Sequence, residues 1–330
     1  MEVLAPTPAN VARATQRLRV GGLVGMPTET VYGLAAAARD EAAVNCVFEL
    51  KGRPRNHPLI VHLGSAAQLL SWGEPLDDRA GLLADALWPG PLTLVLPRAK
   101  GVPDSVTGGQ PTVALRVPSH PVANELLRAF GDGVAAPSAN RFGRLSPTAA
   151  ADVVAEFAGE DLLVLDGGPS SVGLESTIVD LTTPATRLLR PGGVSREELE
   201  ALLGRVVELP VAADRGTPRV PGSHASHYAP GAPTALVSAA ELAQMEGDGL
   251  AVLARGEAPR GWGGVWQRLP DDAAGYAAGM YAALRRLDAT HPKAILIESV
   301  PDRPEWLAVR DRLTRASAPR PGAILPRRSA

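Results

Sequence analysis

The chain has 330 residues, a formal net charge of −2 at pH 7, 45% hydrophobic residues and 21% charged residues. This length and composition predict about two folded domains and exclude wholesale disorder. The charge balance excludes a protein that binds nucleic acid mainly through a large basic excess. The single cysteine, Cys46, excludes an internal disulfide or a cysteine-based zinc site. With no apolar run long enough for a signal peptide or a membrane span, we expect a cytoplasmic protein without membrane contact.

Short apolar runs bounded by glycine and proline predict buried strands. They lie at 22–26, 59–63, 92–96, 113–117, 162–165 and 177–181. Helical patterns separate several of them, at 8–19, 40–50, 77–87, 119–130, 147–158 and 195–203. The predicted N-caps are Asp40, Asp77, Ser119, Ser146 and Ser195. Because some strand pairs have no helix between them, we expect an α/β (α+β) domain with a mixed, twisted sheet.

The pattern changes near residue 206, where five prolines between 206 and 233 predict an extended linker. Beyond it, apolar runs at 234–238, 249–254 and 294–300 predict strands, and helical patterns occupy 271–288 and 304–317. One face of the first of these helices carries Tyr276, Met280, Leu284 and Leu287. The sequence therefore predicts a larger α/β domain at 1–205, a linker at 206–233 and a smaller Rossmann-like α/β domain at 234–330.

The densest group of candidate site residues is the turn that contains Lys51, Arg53, Arg55 and His57. Three cations on a turn stiffened by one glycine and two prolines are suited to holding phosphate or carboxylate oxygens. Lys51 is one of only three lysines among the 33 basic residues of the chain, which makes it slightly more informative as a candidate site residue. An ordinary helix C-terminus, where cations complement the helix dipole, is an equal alternative.

Two polar segments directly follow predicted strands. The first, 137–140, contains Ser138 and Asn140, and the second, 27–33, contains two threonines around Glu29. Small polar side chains at strand ends suit ligand contact in an α/β sheet. Local turn hydrogen bonds or helix capping explain such residues equally well.

Two arginines, Arg116 and Arg190, lie in or at the end of apolar strands. A buried guanidinium must be paired or bound to a ligand, because an isolated buried charge costs several kcal/mol. Either a ligand anion or an internal carboxylate satisfies this requirement, and the segment 175–177 offers a carboxylate and hydroxyls.

Several familiar signatures are absent, including the P-loop, the dinucleotide-binding glycine motif and the nucleophile elbow. His224 and His227 have a metal-like spacing, but no third ligand lies nearby, so we expect no metal site there. Cys46 has apolar neighbours on a predicted helix, and we expect it to lie in the core.

Seven segments in order resemble the successive motifs of the YrdC-like threonylcarbamoyl-AMP synthases over about residues 8–200. They are PTETVYGL, KGRPRNHPLIVHL, LWPGPLTLVL, TVALRVPSHP, APSANRFGRLSPT, LESTIVDL and LLRPGG. The later segment VPGSHASHYAPGAP resembles the joint of the long, two-domain form of these enzymes. His57 departs from the asparagine that many members carry, and the segment 295–317 departs from the expected glycine-rich loop.

The resemblance implies a set of site residues. The family signature of a Lys-x-Arg pair and a Ser-x-Asn pair falls on Lys51, Arg53, Ser138 and Asn140, the implied catalytic residues. The implied ATP contacts are Lys51, Arg53, His57, Thr112, Ala136, Ser138, Ser146, Arg190 and Tyr228. The implied threonine contacts are Thr30, His62, Arg116, Ala136 and Ser176.

The resemblance also implies the reaction. L-threonine, bicarbonate or CO2, and ATP, bound with Mg²⁺, form L-threonylcarbamoyladenylate and diphosphate for the modification of tRNA. A downstream transferase complex is the implied protein partner, and the linker is implied to fold over the site. Two alternatives are a carbamoyl-adenylate-forming relative and an RNA-binding or ribosome-maturation factor. The charge of residues 1–205, with 18 basic and 22 acidic side chains, argues against RNA binding.

Overall fold

The computed structural model describes residues 1–209, 216–222 and 227–319, and divides into two compact units. Of these residues, the first unit contains 1–142, 147–209 and 216–222, and the second contains 143–146 and 227–319. Within these ranges, none of the helices combines the length and the apolar character that crossing a bilayer requires.

The first unit is a ten-stranded sheet with helices on it. Its strands are β1 (Glu2–Leu4), β2 (Val24–Met26), β3 (Gly33–Ala37), β4 (Ile60–His62), β5 (Leu92–Pro97), β6 (Thr112–Arg116), β7 (Val134–Ala135), β8 (Leu163–Leu165), β9 (Thr177–Asp180) and β10 (Arg187–Arg190). Its helices are α1 (Pro8–Arg19), α2 (Glu41–Lys51), α3 (Arg79–Leu87), α4 (Asp104–Thr107), α5 (Pro121–Phe130), α6 (Ala150–Glu156), α7 (Arg196–Leu203) and a 3₁₀ turn at Ala66–Ser71.

The sheet is mixed, as the sequence predicts. Its strand order is β1-β8-β2-β3-β7-β4-β6-β5-β9-β10. The pairs β4–β6 and β5–β9 are parallel, whereas β3–β7, β4–β7 and β5–β6 are antiparallel. In the β4–β6 pair, His62 lies in register with Arg116.

The strands at one end of the sheet are buried on both faces. In β8, Leu163 and Leu165 join a core beneath α1 and α5, and Val164 between them joins a second core beneath α2 and α6. Alternate side chains of a strand point to opposite faces, so a strand covered on both sides needs an unbroken apolar sequence. This explains why the short runs without polar alternation form strands.

Part of the linker packs on the first unit. Val220 is buried against Ile60, Val95, Ala114 and Ile178 on one face of the sheet. Residues 216–222 contain no helix or strand, so their backbone needs other partners. Arg190 Nη1 donates to the carbonyl of Pro221 at 3.0 Å, which anchors the linker beside a predicted site residue.

The second unit has a four-stranded, all-parallel sheet in the order β11-β14-β12-β13. Its elements are β11 (Thr234–Val237), α8 (Ala239–Leu242), β12 (Leu250–Ala254), β13 (Val265–Arg268), α9 (Ala273–Asp288), β14 (Ala294–Glu298), a 3₁₀ turn at Pro304–Trp306 and α10 (Leu307–Ala316). The four residues predicted to share one face of α9 are all buried, which confirms that amphipathic pattern. The smaller α/β domain is therefore as predicted in class.

Some local predictions are wrong. The expected strands did not include β1, β3 or β13, because the first is short and exposed, the second is alanine-rich and the third is half exposed. Cys46 is exposed, since it lies on the face of α2 opposite the buried Val44 and Val47.

The N-cap predictions are partly confirmed. Asp40 and Ser195 accept hydrogen bonds from the first-turn amides of α2 and α7. The caps of α3, α5 and α6 are instead Asp78, His120 and Ala149, so the predictions of Ser119 and Ser146 are wrong. The predicted Asp77 lies one residue before the cap, but its carboxylate accepts a hydrogen bond from the Arg79 amide at 3.1 Å. The Asp77 carboxylate pairs with the Arg79 guanidinium at 2.8 Å, and His120 takes the capping role through its ring nitrogen.

Candidate functional site

Lys51 joins the two motifs that the sequence analysis pairs. It is the last residue of α2, which ends because Gly52 adopts a left-handed conformation with φ of 64°. The Lys51 Nζ donates to the carbonyl oxygens of Ser138 and Asn140, both at 2.5 Å. The lysine therefore crosslinks the basic turn to the segment after β7.

Burial changes the protonation of this lysine. Lys51 is 2% exposed, and desolvation, followed by the nearby Arg53 cation, holds the pKa of its amine well below the usual range. The carboxylate of Glu156 partly opposes this shift. An anionic ligand beside Lys51 would stabilise the charged amine and raise this pKa again, so binding of an anion and protonation of Lys51 are coupled.

The next cation of the turn is also held in place. Arg53 is 8% exposed, its Nη2 donates to the carbonyl of Pro58 at 2.9 Å, and its guanidinium lies 5.8 Å from the centre of the Phe142 ring. The half-buried His57 meets the same ring edge-on, with 5.5 Å between ring centres. Phe142 thus orients both side chains, a role that the sequence analysis did not assign to it.

Arg116 is the centre of a second, buried cluster. Its Nη1 donates to Thr30 Oγ1 at 2.8 Å, and its Nε donates to the carbonyl of Gly90 at 3.2 Å. Its Nη2 lies 2.7 Å from Glu29 Oε1. Of the two partners that the sequence left open, a ligand or an internal carboxylate, the structure contains the carboxylate of Glu29.

The charges around Arg116 are well defined. Burial is the largest single influence on Glu29 and raises its pKa, but the charge and hydrogen bond of Arg116 together with backbone hydrogen bonds exceed it, so the pKa of that carboxyl is lowered overall. Burial, with the Arg116 cation next, lowers the pKa of His62 to about 3, although the Glu29 carboxylate opposes this. Near neutral pH the cluster therefore contains a cation, an anion and a neutral imidazole.

A third cluster forms around Ser176, just before β9. Ser176 Oγ shares a hydrogen bond of 2.7 Å with Thr93 Oγ1 and accepts another from Arg190 Nη2 at 3.1 Å. Arg190 Nε donates to the Ser176 carbonyl at 3.0 Å. The segment 90–91 links this cluster to the second one, because Gly90 accepts from Arg116 and Pro91 accepts from the amide of Thr177.

The remaining predicted residues of the first unit lie on the same strands or next to them. Thr112 begins the strand that ends at Arg116, and Ala136 follows β7 and donates its amide to the Ile60 carbonyl at 3.1 Å. Ser138 pairs with Gly33, which connects the segment after β7 to the loop containing Thr30.

Two predicted site residues, Ser146 and Tyr228, belong to the second unit. Ser146 is fully buried. Tyr228 is 1% exposed and has φ of 58°, a left-handed conformation that is costly for a tyrosine. The Arg312 guanidinium, itself buried, lies 5.1 Å from the centre of its ring, and the His227 ring lies 4.1 Å away. His224 lies outside the described residues.

Glu29 was predicted to contact a polar ligand only as part of the segment 27–33 and was not among the residues assigned to a subsite. Its signal was a carboxylate between two threonines in a segment that follows an apolar strand. Among the residues that the structure describes, no group of three or more His, Cys, Asp or Glu side chains is arranged to hold a metal ion.

Family models match almost the whole chain. One described as "Telomere recombination", for the Sua5, YciO and YrdC proteins, matches residues 16–192. One described as "Threonylcarbamoyl-AMP synthase, C-terminal domain" matches residues 194–318.

Curated relatives of the same family match most of the chain. A threonylcarbamoyl-AMP synthase of Pyrococcus abyssi is 40% identical over 312 residues, which cover 91% of this chain and 92% of the relative. One of Bacillus subtilis is 37% identical over 339 residues, which cover 96% of this chain and 95% of the relative.

Solved structures are similar over the same length. The crystal structure of P. abyssi Sua5 complexed with L-threonine has a TM-score of 0.87 and 38% identity, and covers 96% of each chain. A variant of the same protein, in which one histidine and one tyrosine are replaced by alanine, has a TM-score of 0.85 and 38% identity, covering 93% of this chain and 92% of the variant.

The low pKa of His62 predicts a pH-dependent stability. Between its ordinary pKa of 6.5 and about 3 in the folded protein, the unfolded chain binds more protons at this residue. The free energy of unfolding therefore falls as the pH drops through this range, by up to about 1.4 kcal/mol per pH unit. We expect His62→Asn to flatten the dependence of the unfolding free energy on pH between about 4 and 6.5. Urea unfolding at several pH values in this range measures that dependence.

The matched control is His291→Asn, which changes an exposed histidine. This variant should keep the slope of the unmodified protein. Parallel curves for the unmodified protein and His62→Asn would contradict the assignment of a buried, neutral imidazole.

Proposed function

The chain belongs to the threonylcarbamoyl-AMP synthase family, whose members transfer a nucleotidyl group, and we propose that the three clusters of its first unit form the active site. The reaction joins L-threonine, bicarbonate or CO2, and ATP into L-threonylcarbamoyladenylate, with release of diphosphate. The observation that carries the proposal is the crosslink from Lys51 to the carbonyls of Ser138 and Asn140, since it brings the two motifs together.

We assign the amino-acid half of the site to the cluster around Arg116. A guanidinium matches a carboxylate in shape and charge, so Arg116 would bind the carboxylate of L-threonine. Thr30, the neutral His62 and Ser176 would contact its amine and hydroxyl, with Ala136 forming part of the wall. The P. abyssi relative with L-threonine bound supports this choice of ligand.

We assign the nucleotide half to the basic turn and to Arg190. Lys51, Arg53 and Arg190 would neutralise the phosphates, and His57, Thr112, Ser138 and Asn140 would provide polar contacts. We also keep Ala136, Ser146 and Tyr228 as proposed nucleotide contacts. In the variant of the P. abyssi relative, a histidine and the tyrosine that follows it are replaced by alanine. His227 and Tyr228 form the same pair of residue types here, and we propose that they act together.

The proposed chemistry has two steps. The deprotonated amine of threonine attacks the carbon of CO2, which forms an N–C bond and, after loss of a proton, a carbamate. A carbamate oxygen then attacks the α-phosphorus of ATP, the bond to the β-phosphate oxygen breaks, and diphosphate leaves. Positioning of the reactants and neutralisation of charge would supply most of the acceleration.

We propose that Mg²⁺ enters with ATP. When bound, the ion would neutralise charge on the leaving diphosphate, and Mg²⁺ in nucleotide sites usually keeps several phosphate and water ligands. The lysine and arginines of the basic turn cannot ligate a cation, so phosphate oxygens and water would supply the ligands of such an ion.

The product is proposed to pass to a transferase complex that modifies tRNA, in the cytoplasm, where ATP and tRNA are available. Direct binding of tRNA to this chain would then be weak. The alternatives of an RNA-binding factor and of a carbamoyl-adenylate-forming relative are not favoured, since the curated relatives are threonylcarbamoyl-AMP synthases over most of the chain.

The reaction can be tested by measuring diphosphate release from Mg-ATP with threonine and bicarbonate omitted in turn. We expect release to require both. Release that persists without threonine would contradict the proposed function.

Lys51→Ala tests the phosphate assignment. The substitution removes a charged donor, and such hydrogen bonds contribute about 1.5–3 kcal/mol. We therefore expect diphosphate release with subsaturating ATP to fall about tenfold to a hundredfold.

The control for this variant is Lys100→Ala, because Lys100 is exposed in a loop. Its activity should equal that of the unmodified protein. A folded Lys51→Ala variant with normal kinetics would remove Lys51 from the site.

A further inference from the structure

The carboxylate of Glu29 is buried yet sparsely bonded. The residue is 6% exposed, and its Oε1 lies 2.7 Å from Arg116 Nη2. Beyond this ion pair, the backbone amides of Ser119 and of Glu29 itself also interact with the carboxylate, but within the described ranges they do not reach normal hydrogen-bond geometry. Buried carboxylates generally accept several hydrogen bonds, so Glu29 retains capacity for another donor.

Arg116 has the complementary capacity. A guanidinium carries five N–H donors. Its contacts with Gly90, Thr30 and Glu29 leave donors on both terminal nitrogens. The ion pair therefore offers spare donors on its cation and spare acceptors on its anion, side by side.

This arrangement matches the two charges of an α-amino acid. In such a zwitterion, one carbon atom separates the ammonium group from the carboxylate, so the groups that bind them must also be adjacent. The 2.7 Å separation between the Glu29 and Arg116 charges meets that requirement. A ligand with only one of the two charges would leave the other member of the pair less well solvated.

We propose that Glu29 binds the ammonium group of the substrate amino acid while Arg116 binds its carboxylate, and that Glu29 thereby selects amino acids over hydroxy acids. This inference rests on the proposed function, because it concerns the same amino-acid subsite. In this role Glu29 also positions the nitrogen, which releases a proton to solvent before its lone pair attacks CO2.

The surrounding charges favour this role. Arg116, His62 and His120 are the ionisable groups that act electrostatically with Glu29. Burial lowers the pKa of both histidines, and the pKa of Glu29 is also lowered, so Glu29 is the anion of the group near neutral pH. An incoming zwitterion therefore meets one negative charge, on Glu29, one positive charge, on Arg116, and no competing imidazolium.

The competing explanation is that Glu29 only holds Arg116 in position. The two roles differ in their response to a ligand without the amine. In 2,3-dihydroxybutanoate, a hydroxyl group replaces the amine of threonine and the carboxylate remains. Loss of a purely structural Glu29 would weaken binding of both ligands through Arg116, whereas loss of an ammonium site would weaken only threonine binding.

The test is calorimetric titration of the full chain with L-threonine and with 2,3-dihydroxybutanoate, for the unmodified protein and for Glu29→Gln. We expect the unmodified protein to prefer threonine. We expect Glu29→Gln to lose about tenfold to a hundredfold in threonine affinity, the range for a charged hydrogen bond, with little change for the hydroxy acid. Glu2→Gln, which removes a half-exposed carboxylate paired with Arg13, should change neither affinity.

Equal losses for both ligands, or no loss for threonine, would overturn the inference. Glu29→Asp keeps the charge and should keep the preference for threonine, which provides a second variant if Glu29→Gln does not fold. Equal affinities of the unmodified protein for the two ligands would overturn the inference without any variant. If the unmodified protein bound neither ligand, the proposed function itself would fail.

Discussion

The buried ion pair between Arg116 and Glu29 is the constraint on which the site depends. Two charges out of water are tolerated only when each is paired and hydrogen-bonded, and here the pairing fixes three parts of the chain. Arg116 lies on a central strand, Glu29 and Thr30 lie in the loop after β2, and Gly90 precedes β5. Because Arg116 holds these segments together, its guanidinium is already positioned to bind a charged ligand.

The two-sided core makes this arrangement possible. With both faces of one end of the sheet covered by helices, polar side chains are confined to strand ends and loops. Lys51 ends a helix on one face, and its amine reaches the carbonyls that follow β7. The proposed phosphate and amino-acid subsites are thus separate clusters joined through short backbone segments, such as the pairing of Gly33 with Ser138.

The sequence predicts those parts of the fold that local hydrophobic patterns determine, and not the contacts between distant segments. Long amphipathic helices and apolar strands, such as α9 and β5, were predicted because burial alone dictates their patterns. The strand β3 was not, since an alanine-rich segment lacks the branched side chains that indicate a strand. Arg116 was identified as a buried charge, but its partner Glu29 could not be, because their contact spans distant segments that only the folded chain brings together.

The most direct test of the account is the composition of the nucleotide product. The full chain would be incubated with ATP, threonine labelled with heavy nitrogen and bicarbonate labelled with heavy carbon, and the adenylate would be analysed by mass spectrometry. The account predicts an adenylate that carries both labels. An adenylate that carries the threonine label without the bicarbonate carbon, or the release of unlabelled AMP or ADP alone, would contradict it.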